Sequence, residues 1–427
     1  MSSAIGVGFL GLGTVGGAAL RILSEDREAV AARAGAEVEV RAIAVRDPDR
    51  RRESGLEGVL TGDPEEVVGN PDVDVVVEVM GGVEPARSLV MSALGAGKHV
   101  VTANKEVLAS HGADLFRAAA AAGVELAFEA AVGGGIPLVR PLLASLAGER
   151  VTRVMGIVNG TTNYVLTRMT EDGMDAEGAL AEAKARGLAE ADPSDDVEGH
   201  DAAAKCAILA TIAFGTSVVA DDVSREGIAR VTAEDITFAR RLGHVVKLLA
   251  VAELEEGEVA ARVHPTMIPS DHPLAAVRDS FNAVFVEGER TGELMFYGRG
   301  AGGDPTATAV VGDLVHVARA ARTGGPPLLP AADRLLRIRS PQTMEGQYYL
   351  LLDVADRPGV LAQVAGAFAQ HEVSIKSVWQ EGFGDEALLV LITHRANEGS
   401  LRATVATLEG IEAVAEVRSV MRVEGIE

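Results

Sequence analysis

Ile5, Val7 and Phe9 alternate with small residues, and the run breaks at Gly11-Leu12-Gly13-Thr14-Val15-Gly16 before an apolar-periodic stretch from Ala18 to about Ala34. That order predicts a strand, a glycine loop and a helix. A second strand is predicted over 38–45. The run Val73 to Val79 is valine-rich and interrupted only by Asp74 and Glu78, so it reads as a largely buried strand. A helix from about Glu84 to Ala96 leads to a short strand at His99 to Thr102. Helix follows at Ala113 to Ala122, then strand at Val124 to Phe128. Strands alternating with helices at this rhythm predict a Rossmann-type doubly wound parallel sheet over residues 1–131, in an α/β chain.

The texture changes at Val132. Gly133-Gly134-Gly135-Ile136-Pro137 interrupts the rhythm and Val151 to Val158 starts a new strand. A helix-rich stretch follows, with further strands expected at Val245 to Ala252, Val259 to His264 and Ala283 to Phe285. Residues 132–325 are therefore expected to form an α+β substrate-binding and dimerisation domain, whose last helix can return to the first domain. Gly324, Gly325, Pro326, Pro327, Pro330 and Pro341, between Arg322 and Gln347, mark a linker, placed at 326–346. The tail, 347–427, reads strand, helix, strand, strand, helix, strand, which is the ferredoxin-like βαββαβ order.

Composition narrows the partners. The 427 residues are 48% hydrophobic and 24% charged, as expected of an ordinary globular chain. A formal net charge of −23 argues against a surface for nucleic acid or anionic lipid. Met1 to Leu20 is apolar but lacks a basic n-region and is dense in glycine, so a dinucleotide loop explains it better than a signal peptide. With no apolar run of membrane length and a single cysteine, Cys206, the expectation is a cytoplasmic protein without an internal disulfide.

A GxGxxG pattern alone is weak in a chain with 48 glycines, but here it follows a strand and opens a helix. Gly11 suits the tight turn, Gly13 a close approach to pyrophosphate and Gly16 the packing of helix on strand. Residues 11–16 are thus expected to bind NADP or NAD. Arg46, with Arg50, Arg51 and Arg52 behind it, tilts the choice toward NADP, the alternative being a solvated basic loop.

Five carboxylates lie between Glu190 and Glu198, more than capping of the next helix requires. Asp201 and Lys205 stand four apart on that helix and share a face. A lysine at the mouth of a helix that then turns apolar can give a proton to an alkoxide. The same pair could equally be an exposed ion pair worth about 0.3–0.5 kcal/mol.

These residues resemble the substrate signature of the homoserine dehydrogenase family. Thr102-Ala-Asn-Lys105, Val132-Gly-Gly-Gly-Ile-Pro137, Gly156-Ile-Val-Asn-Gly-Thr-Thr-Asn-Tyr164 and Gly298-Arg-Gly-Ala-Gly-Gly-Asp-Pro-Thr306 look like the other family motifs, in family order. The resemblance implies reversible NAD(P)-dependent reduction of L-aspartate 4-semialdehyde to L-homoserine, in threonine, methionine and isoleucine biosynthesis. It implies Lys205 as proton donor and Lys105 as a second active-site lysine near nicotinamide and substrate. It gives Glu190 the substrate ammonium and Asp201 the role of partner to the reacting oxygen, with Asp195 and Asp196 in the same substrate loop. Glu129 with the carbonyls of Val132, Gly134 and Ile136 matches a monovalent cation site, expected to hold sodium. Gly302 and Gly303 fall where a late glycine loop approaches the coenzyme.

In the tail, Asp356-Arg357-Pro358-Gly359-Val360-Leu361 looks like the ligand loop of ACT domains, which bind amino acids where two such modules pair. Asp356, Gly359, Val360 and Leu361 are the candidate effector residues and L-threonine the expected effector; a module used only for oligomerisation is the alternative. A homodimer or homotetramer is expected. Aspartate-semialdehyde dehydrogenase, a rival reading, needs a nucleophilic cysteine. Cys206 points about 100° away from Lys205 around the helix and has apolar neighbours, which disfavour a thiolate. A non-catalytic binding protein is the second rival, against which Lys105, Glu190, Asp201 and Lys205 argue.

Overall fold

The computed structural model describes residues 4–48, 56, 58–332, 334–383 and 385–425, so Arg50, Arg51 and Arg52 of the basic loop lie outside the described residues. The first elements are β1 (Ile5–Leu10), α1 (Thr14–Glu25), α2 (Arg27–Ala34), β2 (Val38–Ala44), β3 (Leu60–Thr61), α3 (Pro64–Gly69), β4 (Val75–Glu78), α4 (Ala86–Gly95), β5 (His99–Thr102), α5 (Lys105–Ala122) and β6 (Leu126–Ala127). The middle of the chain forms β7 (Val151–Ile157), α6 (Gly160–Asp172), α7 (Ala176–Ala185), α8 (Ser194–Val197), α9 (His200–Phe214), β8 (Ser224–Arg225), α10 (Ala233–Arg241), β9 (His244–Glu255), β10 (Glu258–Pro269), β11 (Phe281–Gly288), β12 (Gly292–Arg299) and α11 (Gly303–Thr323). It ends with β13 (Arg337–Ile338), β14 (Glu345–Ala355), α12 (Val360–Gln370), β15 (Ile375–Phe383), β16 (Glu386–Thr393), β17 (Ala396–Asn397), α13 (Glu398–Glu409) and β18 (Val414–Val423). Two compact units result, neither continuous in sequence. One comprises Met1–Val154, Ala204–Asp222 and Asn282–Leu336, the other Met155–Ala203, Val223–Phe281 and Arg337–Glu427.

The first unit is built on a parallel sheet in the order β3-β2-β1-β4-β5-β6, the doubly wound arrangement expected from the alternating strands and helices. Every residue of β1 is buried, because helices cover both faces of a central parallel strand. Its two glycines make that possible. A Cβ at Gly6 would lie 1.8 Å from the Asp72 carbonyl oxygen, and one at Gly8 would lie 2.5 Å from Val67 Cγ1 on α3. Helix α11 completes the cover. Its Ala307, Val310, Leu314 and Val317 share a core with Val7, Phe9, Val75 and Val77. Beside this layer, β12 pairs with β11 and β11 with β7.

The second unit has the strand order β9-β10-β18-β14-β16-β15. Its last four strands with α12 and α13 are the expected βαββαβ module, closed over Leu350, Leu352, Val364, Phe368, Leu389 and Leu408. Strand β10 pairs along its whole length with β9, while its other edge is shared by β13 at Glu258 and Val259, β8 at Arg262 and Val263, and β18 at Thr266 and Met267. Lys247 on β9 is buried, and its Nζ donates to Asn163 Oδ1 (3.1 Å) and the Val277 carbonyl (2.6 Å); burial pushes its pKa down to about 8.

Several local expectations are corrected. The helix expected over 18–34 is two helices, α1 from Thr14 and α2 to Ala34, with Asp26 between them at φ −105° and ψ 24°. Helix α5 starts at Lys105, eight residues before the expected Ala113. Strand β10 runs past Pro265, whose missing N–H falls between the stretches paired to β8 and β18. Strand β12 and helix α3, capped by Asp63 Oδ1 on Glu65 N, were not expected. Among the described residues, no helix is long and apolar enough to cross a membrane.

Gly6→Ala tests the tightest of these contacts. The clash is with backbone, which cannot rotate away, so a loss of about 2 kcal/mol or more is expected in urea unfolding; an unchanged midpoint would refute the close approach.

Candidate active site

At the carboxyl end of β1 the chain enters the glycine loop. Gly11 has φ +101°, and a Cβ there would sit 2.9 Å from the Val79 carbonyl oxygen. At Gly16 it would sit 2.7 Å from the Gly11 carbonyl oxygen. At Gly13 it would meet nothing within 4 Å among the described residues. Two of the three glycines thus close the turn, and the third faces open space. Helix α1 starts there with neither a side-chain cap nor an acidic residue in its first turn, leaving its N–H groups to an anion.

A cleft of about 660 Å³ opens at this point, lined by the loop, by Ala44 to Asp47 after β2 and by Val79 to Gly81 after β4. It lies where the sheet changes winding direction, the usual place for a ligand in this architecture. Arg46 and Asp47 are exposed on its wall, while within the loop Leu12 is buried and Val15 half-buried. Gly302, at φ +118°, leads into α11, and a Cβ at Gly303 would lie 3.0 Å from Thr14 Cγ2. The structure thus brings the late glycine loop against the early one. These residues fit a dinucleotide.

Lys105 is half-buried and is the first residue of α5. The preceding Asn104 caps that helix, its Oδ1 accepting from Val107 N (3.2 Å) while Nδ2 donates to the Gly82 carbonyl (2.7 Å). Fully buried Glu78, at the end of β4, accepts from Thr102 Oγ1 (2.6 Å) and from Met80 N (2.8 Å), with Asn104 Nδ2 at 3.4 Å.

Glu129, expected at a cation site, is buried. Its Oε1 accepts from the backbone N–H groups of Leu138 and Val139, and its Oε2 from Arg140 N (3.0 Å) and Arg140 Nε (3.2 Å). A carboxylate offers about four lone-pair directions, and all four are taken by N–H donors. The guanidinium also neutralises its charge. The Glu129 carboxylate is therefore fully engaged by the chain's own N–H donors. Gly134 meets a different constraint, since a Cβ there would lie 2.5 Å from the Gly300 carbonyl oxygen. Two of the family-like motifs are thus packed glycine to glycine. Arg140 further donates to the Gly312 carbonyl (3.1 Å) and lies 3.4 Å from Asp313 Oδ1. Burial pushes the Asp313 carboxyl up to about 7, against the opposing pull of Arg140.

In the second unit, Asn159 caps α6 through Oδ1, which accepts from Thr162 N (2.9 Å). Its Nδ2 donates to both Asp196 Oδ1 (2.6 Å) and Asp201 Oδ2 (2.9 Å). Glu190 and Asp195 are exposed and Asp196 half-buried. The loop around Glu190 is tied down by Thr161 Oγ1 on the Leu188 carbonyl (2.9 Å) and Lys184 Nζ on the Ala191 carbonyl (3.1 Å). Helix α9 runs unbroken from His200 to Phe214, so Asp201 and half-buried Lys205 fall one turn apart along it, and Cys206 is buried. Glu78, Arg140, Asn159 and Asp313 were not singled out from sequence. Asn159 stood within a quoted motif, and Glu78 as an acid in a valine run; these were the available signals.

In the ACT-like tail, Gly359 takes φ +93° at the N-terminus of α12. Asp356 Oδ1 accepts from Gln380 Nε2 (3.2 Å), Val360 is buried and Leu361 is 45% exposed.

The parallel sheet and its glycine cleft define a dinucleotide-dependent oxidoreductase. Comparison with known proteins specifies which. Residues 11–129 match the family model "Homoserine dehydrogenase, NAD binding domain", 137–315 match "Homoserine dehydrogenase" and 348–413 match "ACT domain". A homoserine dehydrogenase of Mycobacterium tuberculosis is 51% identical over 99% of this chain and 98% of its own. The crystal structure of one from Thiobacillus denitrificans superposes with a TM-score of 0.94 at 41% identity, covering 99% and 98% of the two chains. A hyperthermophilic archaeal homoserine dehydrogenase in complex with NADPH has a TM-score of 0.64 at 29% identity, covering 76% of this chain and all of that one. The chain belongs to the homoserine dehydrogenase family, carries a C-terminal ACT domain and is an NAD(P)-dependent oxidoreductase.

The Asp313 cluster predicts a pH effect. A carboxyl raised from 3.8 to about 7 contributes stability that is complete below about pH 4 and lost as pH rises through 7. Thermal melts of Asp313→Asn and the parent chain should therefore shift by several degrees in favour of the variant between pH 5 and pH 7.5. A gap independent of pH would contradict the raised pKa.

Proposed function

We propose that the chain catalyses the reversible NAD(P)-dependent interconversion of L-aspartate 4-semialdehyde and L-homoserine in the cytoplasm, with NADP preferred over NAD. The place of the reaction is threonine, methionine and isoleucine biosynthesis. Support for the coenzyme preference comes from exposed Arg46 on the cleft wall, suited to a 2′-phosphate, and from the NADPH named for the archaeal relative. When bound, the coenzyme supplies or accepts the hydride. The chain's own residues do the rest. Lys205 gives a proton to the carbonyl oxygen in the reductive direction and takes it back in the oxidative one. Lys105 adds a second ammonium that stabilises charge developing on that oxygen. Asp201 partners the reacting oxygen, Glu190 takes the substrate ammonium, and Asp195 and Asp196 shape the same loop.

The observation that carries this reading is the Asn159 amide, which donates to Asp196 and Asp201 together and so fixes the start of the helix that bears Lys205. A solvated acidic loop has no need of such an anchor. Initial rates of L-homoserine oxidation with each coenzyme test it. Lys205→Ala should lower the rate by about 10²–10⁴, and NADP should show the lower KM. Full activity in the variant would move the proton transfer to Lys105, and no activity in the parent chain would favour a binding protein.

The ACT domain is proposed to bind L-threonine, acting as feedback inhibitor, at Asp356, Gly359, Val360 and Leu361 in a homodimer or homotetramer. Gly359 at positive φ leaves the start of α12 open to close approach by a carboxylate. Asp356→Ala should raise the threonine concentration for half-inhibition about tenfold or more, with the uninhibited rate unchanged. Equal sensitivity in both proteins would sink the assignment.

A further inference from the structure

We infer that Glu78 is a positioning residue for Lys105, acting through Thr102 and Asn104; the inference rests on the active-site reading of Lys105 given above. Strand β4 is otherwise Val75, Val76 and Val77, all fully buried, and an apolar residue would continue it. Glu78 is instead a carboxylate at 0% exposure, with no ammonium or guanidinium paired to it among the described residues. A buried acid without a counter-cation is costly and persists only where its oxygens are well supplied with donors. Its donors here come from two places.

Met80 N belongs to the strand end that lines the coenzyme cleft. Thr102 Oγ1 and Asn104 Nδ2 belong to the turn that ends one residue before Lys105. Within that turn Asn104 N donates to Thr102 Oγ1 (3.0 Å), so the Thr102 hydroxyl hydrogen is committed to Glu78. Asn104 then spends Oδ1 on capping α5 and Nδ2 on the Gly82 carbonyl. Glu78 and Asn104 together tie the two sides, and Glu78 is the buried charge between them. It holds the coenzyme-cleft strand end and the start of α5 at a fixed spacing, and Lys105 departs from that start.

The chemistry of the carboxylate fits this task better than a neutral isostere would. Its Oε1 is shared between Met80 N, just after β4, and Asn104 Nδ2, just after β5, while its Oε2 accepts from Thr102 Oγ1 on β5. A glutamine has one acceptor oxygen, so its amide could serve Met80 N and Asn104 Nδ2 or Thr102 Oγ1, but would turn N–H groups to the other. Misplacing a catalytic ammonium by about 1 Å can cost about 100-fold in rate.

The test is a double-mutant cycle on the full chain, read as kcat and KM for L-homoserine oxidation. Glu78→Ala in the parent chain should lower kcat about 100-fold, with KM for homoserine within about threefold. In a Lys105→Ala background the same change should cost less than about threefold, because there is no ammonium left to misplace. Glu78→Gln should fall between the parent and Glu78→Ala. Equal losses in both backgrounds would mean a general structural role and overturn the proposal, as would an unchanged kcat in Glu78→Ala. Full activity in Lys105→Ala alone would overturn the reading of Lys105 itself, an outcome distinct from the other two. Should Glu78→Ala not fold, Thr102→Val removes one donor at constant shape. It should lower kcat about tenfold in the parent chain and leave the Lys105→Ala chain unaffected; additive losses would again refute the proposal.

Discussion

A carboxylate can be taken out of water only if its lone pairs are filled, and that constraint organises much of the first unit. Glu78 is filled from the ends of two adjacent parallel strands, which fixes where both stop. Glu129 is filled by three consecutive backbone N–H groups and a guanidinium, which shapes the chain from 129 to 140 around it. Asp313 meets the constraint the other way: its Oδ1 lacks a hydrogen-bond partner among the described residues and burial raises its pKa to about 7, while its Oδ2 accepts from Glu129 N (2.8 Å) and so brings α11 to the same place. The three acids join the strand ends, the glycine-rich segment and the last helix of the unit. Their donors are mostly backbone, so the geometry follows from chain path more than from side-chain choice.

Glycine is the counterpart of this constraint. Where acids fix distances by hydrogen bonds, glycines let backbones approach closely enough for the bonds to form. Gly11 against Val79 and Gly134 against Gly300 are such approaches, and Gly227 is another, since a Cβ there would lie 2.0 Å from the Val197 carbonyl oxygen. The last of these seats the segment just before α9. Each substitution would displace backbone and not merely a side-chain tip.

Much of this was legible in the sequence, and the exceptions have physical causes. The parallel strands were readable because burial on both faces leaves continuous apolar runs, and the glycine loop because its context completed the motif. The start of α5 was hidden by Gly112, a poor helix former mid-helix, which here merely sits close to the Phe116 ring. Strand β12 carries Gly292 and Gly298 and largely exposed positions, so it has no apolar face to advertise. Lys105 and Lys205 could be named from motifs. Asn159, Glu78 and Arg140 could not be assigned a role, because what they do depends on partners distant in sequence, 24 to 42 positions away for Glu78 and Asn159 and 172 for the Arg140–Gly312 contact. Oxygen-bearing residues can be counted in a sequence, whereas the donors that occupy them cannot.

Strand β10 has a consequence for the order in which the chain can be completed during synthesis. Its outer edge is finished by three short segments, residues 224–225, 337–338 and 422–423, and buried Arg262 on the same strand bonds Glu424 beside them. The first segment precedes β10 and is present when the strand emerges from the ribosome. The second follows about 70 residues later and the third about 155. At translation rates of about 5–20 residues per second, the backbone of Thr266 and Met267 waits roughly 8–30 seconds for its partner. During that interval the strand edge at Thr266 and Met267 stands open, with Arg262 held by Glu253 but not yet by Glu424, and the nascent chain can pair with a neighbour there.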